Sequence, residues 1–158
     1  KDAALDESIR TRFGPTLDAA ARCELFPWRA TPEGRLAEIL VLDQFSRNVY
    51  RDTARAFAQD AQALALAQEL VASGQDRNLP TAQRVFAYMP YMHSESAVIH
   101  EQALDLFAQP GMENNLDFER RHKAIIDRFG RYPHRNAVLG RTSTPEELAF
   151  LNEPGSSF

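Results

Sequence analysis

The chain has 158 residues, of which 44% are apolar and 25% charged, and a formal net charge of −4. That length can bury a sizeable core without disulfides or metals, and the composition is that of an ordinary globular domain. One cysteine, Cys23, excludes an internal disulfide, and no apolar run approaches the roughly 18 to 20 residues needed to cross a bilayer, so a cytoplasmic protein without membrane contact is expected.

Strand signals are scarce, with no alternating Val, Ile and Thr runs and no Asn-Gly hairpin. Helix signals recur along the whole chain. Ile9 and Phe13 share a face in a first helix, which Gly14-Pro15 is expected to break, and a second short helix carries Leu17, Ala20 and Ala21 toward Trp28. Cys23 falls in that helical stretch without a CxxC partner and reads as an inert structural thiol. Thr31-Pro32 is a cap followed by proline at the first helical position, opening a helix to about Tyr50. Thr53 is placed to cap the next, with Phe57, Ala61, Leu64 and Val71 as its stripe and Gly74 just past its end.

Leu79-Pro80 opens a short helix through Arg84, Val85 and Tyr88 that is expected to stop near Met89-Pro90. A longer helix follows from about Ser94, a natural cap, to Gln109, closed by Pro110-Gly111. Asn115 is placed to cap a helix with Phe118, His122, Ile125 and Phe129 on one side and Gly130 at its end. After the loop RYPHRN, Thr144-Pro145-Glu146-Glu147 combines a capping box with proline at the first helical position. The prediction is one all-helical domain over residues 1–158, about seven or eight helices joined by short loops into antiparallel neighbours. Lys1 is not an initiator Met, so an amino-terminal segment is expected to be missing.

Charge is unevenly spread. Between Glu119 and Arg141 there are 7 basic residues against 2 acidic ones, while the remainder is strongly acidic. The basic third would attract an anion and the rest would repel nucleic acid, although scattered charge on helix surfaces accounts for the same counts.

The segment from Leu36 to Arg51 carries the most information. At 100° per residue, Ile39, Leu42, Phe45 and Val49 cover one side and Leu36 and Leu40 an adjacent one, so this helix is buried. Asp43 and Arg47 lie on the Leu36–Leu40 stripe at i,i+4 spacing and are expected to meet in dry surroundings. An unpaired charge there is too costly to keep, so partners must exist. The arrangement has two readings: a closed ion-pair network that fixes helix register, or a set in which Arg47 and Arg51 keep donors for a carboxylate or phosphate. Two further segments mix charge with core. Met89 to Glu95 sets His93 and Glu95 around a helix start, and Phe129 to Asn136 is a donor-rich loop.

No phosphate-binding loop, dinucleotide-binding glycine pattern, HExxH or GxSxG is present. His93 with Glu95 is too little for zinc, although His134 could add a third ligand, and no metal and no cofactor are expected.

The strings LDQFSRNVYR (Leu42 to Arg51), AFAQDAQAL (Ala56 to Leu64), FAYMPYMHSES (Phe86 to Ser96) and RFGRYPHRNAVLGRTSTPEELAFL (Arg128 to Leu151) resemble domain-of-unknown-function family nine-two-four. The resemblance covers almost the whole chain and implies a bacterial protein similar in fold to tetratricopeptide repeats, a helical hairpin array with a concave surface. It implies no activity, cofactor or catalytic residue. The family pattern reads DQFPRN where this chain has Asp43-Gln44-Phe45-Ser46-Arg47-Asn48, so Ser46 stands at a usual proline and leaves the helix easier to continue. Members also carry an aromatic-rich segment ahead of the stretch that starts here at Lys1, and part of any cleft wall would go with it.

Three functional readings follow. In the first, a helical binding module holds an anionic small molecule or a peptide carboxylate. Arg47, Asn48, Arg51, His93, Arg131, His134, Arg135, Asn136 and Arg141 would supply donors, oriented by Asp43 and Glu95. In the second, the same cluster is a hydrolytic site, with His93 or His134 as general acid or base beside Glu95, and the arginines stabilise developing negative charge. In the third, the cluster is sealed and serves stability alone. The oligomeric state is open.

Overall fold

The computed structural model describes residues 2–158 and is all-helical, with no strand among the described residues. No helix is long and apolar enough to cross a membrane.

The first helix, α1 (Ala3–Ala21), starts on Asp2, whose side chain accepts from the backbone N–H groups of Ala4 and Leu5 at 3.0 Å. It runs unbroken through Gly14-Pro15, contrary to the break expected there. Proline inside a helix costs about 3 kcal/mol. The burial of Leu17 and Ala20 against Val41, Leu42 and Val49, with Phe13 packed on Phe45, outweighs that cost. Cys23 lies beyond the helix end, not within it. It has a left-handed φ of 59° and is an exposed free thiol, so its expected place in a helix is corrected.

Thr31 caps α2 (Pro32–Leu40) as its sequence requires, accepting from Gly34 N. Gly34 is obligatory: a Cβ there would stand 1.9 Å from the Trp28 carbonyl oxygen. The helix does not end at Leu40. It passes through a π turn (Val41–Phe45) into α3 (Ser46–Val49), so the expected single helix to about Tyr50 contains one wide turn.

Thr53 does not cap a helix through its side chain. Its hydroxyl donates to Tyr50 O at 2.7 Å and the chain makes a short 3-10 turn (Ala54–Phe57) before α4 (Asp60–Ala72) begins. Gly74, at a φ of 69°, ends that region as expected. Next, α5 (Thr81–Met92) also continues through its proline, Pro90, instead of stopping before it. Its last turns bury Tyr88, Tyr91 and Met92, and that packing overrides the lost hydrogen bond.

Ser96, not Ser94, heads α6 (Ala97–Phe107), and Ser94 instead accepts from Ser96 N. Asn115 is not a cap either, because α7 (Glu113–Phe129) starts two residues earlier. Met112 is fully buried at that start, and the Glu113 carboxylate ties back to Gly111 N. Gly130 closes α7 at a φ of 69° and Thr144 makes the full capping box of α8 (Pro145–Phe150), both as the sequence predicts.

Helices adjacent in sequence pack on each other along α4, α5, α6 and α7, and α2 adds to α4 and α5. Their shared core holds Leu36, Ile39, Leu70, Tyr88, Phe107 and Met112. A second core joins α1 to the π turn and α3, and a small third one sets Tyr132 and Phe150 on Ile125 and Ile126 of α7. The cleft described next is lined from the π turn and α3, the 3-10 turn at Ala54–Phe57, α5, α7 and the segment after α7.

Candidate functional site

The π turn sets the geometry. One wide turn rotates the residues that follow it, and such turns occur frequently at functional sites. Asp43, 1% exposed, accepts from Gln44 Nε2 at 2.5 Å and His93 Nδ1 at 2.7 Å, with Arg47 Nη1 at 3.2 Å. Arg47 also donates to the Asp43 backbone oxygen at 2.8 Å and grips Asp60 with both terminal nitrogens, at 2.8 and 2.9 Å. Arg135 donates to the His93 carbonyl at 3.0 Å, yet its nearest carboxylate, Asp60, is 3.4 Å away and its Nε is buried with no partner. The guanidinium carbon of Arg135 instead lies 4.5 Å from the Phe57 ring centroid and 4.6 Å from that of Tyr132.

The electrostatics follow from burial and pairing. Burial alone would raise the Asp43 carboxyl, but His93, Arg47 and Gln44 outweigh it and hold the group at about 2. Asp43 is therefore a carboxylate that accepts from His93 Nδ1, which leaves Nε2 as the other polar atom of the ring. Burial pushes His134 down to about 4, with the Arg135 charge adding to it. Burial likewise pushes His122 to about 4, although its Nδ1 donates to Phe118 O at 2.7 Å. Burial also lowers the affinity of Arg135 for its proton, and the neighbouring Arg47 charge adds to that.

These groups open onto one cavity of about 760 Å³, lined by Arg47, Asn48, Arg51, His93, His134 and Arg135 from the predicted set. Asn48 and Arg51 are also tied to α1: Asp6 accepts from Asn48 Nδ2 at 2.8 Å and from Arg51 Nη2 at 2.7 Å. They hold the Asp6 carboxyl well below the usual range, Arg51 first. Of the carboxylates around these arginines, Asp6, Asp43 and Asp60 stand behind the guanidinium groups, and Asp52 is the one that reaches the cavity wall.

The remaining predicted residues form a separate network. Glu95 receives both terminal nitrogens of Arg141, at 2.7 and 2.9 Å, and the backbone N–H of Tyr132 at 2.7 Å. Arg141 also donates to Asn136 Oδ1, and Asn136 in turn reaches Glu147. Glu147 takes a bidentate contact from Arg131 at 2.6 and 2.8 Å and the N–H of Thr144. None of Glu95, Arg131, Asn136 or Arg141 lines the cavity. They fasten the 131–147 segment to the helices.

Several residues that shape the cleft escape a reading by spacing. Asp60 and Phe57 come from a different helix start, Asp6 from α1, and Phe118, His122 and Phe158 from the far wall. His122 did leave a trace, as the one imidazole on the apolar stripe Phe118, His122, Ile125 and Phe129. A second buried histidine pair lies outside the cleft: His100 Nδ1 and Glu119 Oε1 are 2.5 Å apart at zero exposure, and burial raises the Glu119 carboxyl.

A second cavity, about 920 Å³, opens beside Asp76, Arg84 and Tyr88. Of its two arginines, Arg77 and Arg84, the latter has its donors occupied by Gln109 and by the carbonyls of Asp76, Arg77 and Leu79. Among the described residues no three His, Cys, Asp or Glu side chains are gathered as a metal ion would require.

The family model for a bacterial protein of unknown function (DUF924) matches residues 1–155. The chain belongs to this family. A solved structure of a protein of unknown function from Agrobacterium tumefaciens is similar over 96% of this chain and 86% of its own, at 41% identity and a TM-score of 0.92. No protein of curated function matches. The all-helical fold is thus that of the DUF924 family, and the cleft must be read from its own chemistry.

Proposed function

We propose that the cleft binds a small organic anion. One observation carries this reading: the wall presents the guanidinium groups of Arg47, Arg51 and Arg135 against the single carboxylate of Asp52, because the other three acids stand behind the arginines. The carboxylates at the back fix the forks in place, and a preorganised fork loses little freedom on binding a carboxylate or phosphate. Packing of α4 to α7 on their chain neighbours supports a tetratricopeptide-like module as the frame.

Titration calorimetry with inorganic phosphate and with acetate tests this. Saturable binding that weakens as salt is raised is the expected result, with a loss of about tenfold in Arg51→Gln, worth one charge-assisted contact. Absence of any heat up to about 10 mM anion, which corresponds to a standard free energy weaker than about −3 kcal/mol, would overturn the reading.

The Asp43–His93 pair supports a second reading, hydrolysis. A carboxylate that takes the Nδ1 proton leaves Nε2 to accept a proton from water, and the arginines would stabilise the charge that develops. Turnover of carboxylester or phosphoester probes by wild type, abolished in His93→Gln, is the expected outcome; equal rates in both would exclude the dyad.

A further inference from the structure

Beside the arginines the cleft has a second surface made of rings. His122, Tyr132 and His134 converge on one side chain, Phe158, with ring centroids at 3.7, 5.2 and 4.7 Å. The last two contacts are edge-on, at 85° and 73°, the geometry that aromatic quadrupoles favour. Phe158 is nevertheless 55% exposed, so its ring rests on this wall without belonging to the core. Phe118, also half exposed, extends the same wall of the cavity.

The ring wall adjoins the cationic one. Tyr132 touches Phe158 with its ring and also carries the Arg135 guanidinium 4.6 Å from its centroid. Phe158 and Arg135 line the same cavity, so an aromatic group in place of the Phe158 ring would share it with the arginine whose Nε has no partner. One polar atom on this wall is unsatisfied: His134 Nδ1 is buried without a partner, and a polar substituent on a bound ring could meet it where the hydrocarbon ring of Phe158 does not.

We infer that the cleft has an aromatic subsite, covered here by Phe158, and that its ligand is an aryl anion, a molecule that carries an aromatic ring and a carboxylate or phosphate. This rests on the anion reading above and narrows it to a ligand class. Phe158 acts as an internal competitor: its ring must leave before a ligand ring can stack on His122, Tyr132 and His134.

The test compares phenyl phosphate with inorganic phosphate by calorimetry on wild type, Phe158→Ala and His122→Ala, each checked for folding by circular dichroism. In Phe158→Ala, phenyl phosphate is expected to bind about tenfold tighter than inorganic phosphate, the scale of one or two aromatic contacts. The preference is expected to be smaller in wild type, where Phe158 competes, and to vanish in His122→Ala while inorganic phosphate binds as before. Equal affinities of the two probes in Phe158→Ala would overturn the aromatic subsite and leave the anion site standing. Failure of both probes on every protein would overturn both.

Discussion

The cleft network and the clamp that fastens residues 131–147 are built from the same side chains and end in opposite conditions. In the clamp, Glu95 and Glu147 take bidentate contacts from Arg141 and Arg131, and the leftover carboxylate capacity is filled by the backbone N–H groups of Tyr132 and Thr144. In the cleft, Arg47 is held by Asp43 and Asp60 through its terminal nitrogens, while Arg135 shares Asp60 at 3.4 Å and keeps an unpartnered Nε. Composition alone does not separate a structural ion-pair network from a binding site. The separation comes from whether the donors outnumber the acceptors that reach them, and on which side of the guanidinium the carboxylates stand.

If the clamp is purely structural, removing its hub should be costly and functionally silent. Glu147→Ala strands Arg131, Asn136 and the Thr144 cap together, and is expected to lose about 3 to 5 kcal/mol in denaturant unfolding. Any folded fraction should bind anions as wild type does, and a change in affinity with stability intact would show that the two networks are one.

Acid should take the networks apart in sequence. Burial first, aided by the charge of Arg135 at His134, lowers both cleft histidines to about 4, so the folded protein binds fewer protons there than the unfolded chain, whose histidines titrate near 6.5. Their contribution is full above pH 6.5 and is lost as the pH falls through 4, at most about 3 kcal/mol each. Arg131 and the Thr144 N–H hold the Glu147 carboxyl at about 2, so the clamp persists below that window. Glu119 opposes the trend, because a raised carboxyl pKa favours the folded state at low pH. Histidine resonances followed from pH 7 to pH 4 should show His122 and His134 titrating late while the 131–147 amides stay folded; simultaneous loss of both would contradict this order.

The smallest effect concerns the π turn itself. Ser46, the first residue after it, is fully buried and its hydroxyl has no partner. Ser46→Ala removes that orphan group and is expected to raise stability by about 1 kcal/mol, or roughly 3 °C in thermal melting. A lower melting point would mean that the hydroxyl is satisfied after all.

What spacing could show, and what it could not, divides along the range of the forces involved. The Thr31 cap, the Thr144 capping box and the Gly74 and Gly130 endings depend on atoms within a few residues, and they stand where the local pattern puts them. Pro15 and Pro90 mislead for the opposite reason: each is a local breaker overruled by apolar burial against distant helices. The burial of Asp43 and its contact with Arg47 follow from one helix's own periodicity. The choice of His93 and Asp60 as partners does not, because 50 and 13 residues separate the bonded groups. Asn115, given to a cap by its residue type, turns out to line the cleft, and the ring wall made by His122 and Phe158 has no local signature at all.

The contrast between the two networks is directly visible in arginine side-chain nuclear magnetic resonance. Inorganic phosphate titrated into the labelled wild-type protein should shift the Nε–H signals of Arg135 and Arg47 saturably and leave that of Arg141 in place. If no arginine signal moves, or if Arg141 moves with the others, the cleft is as closed as the clamp and holds no anion.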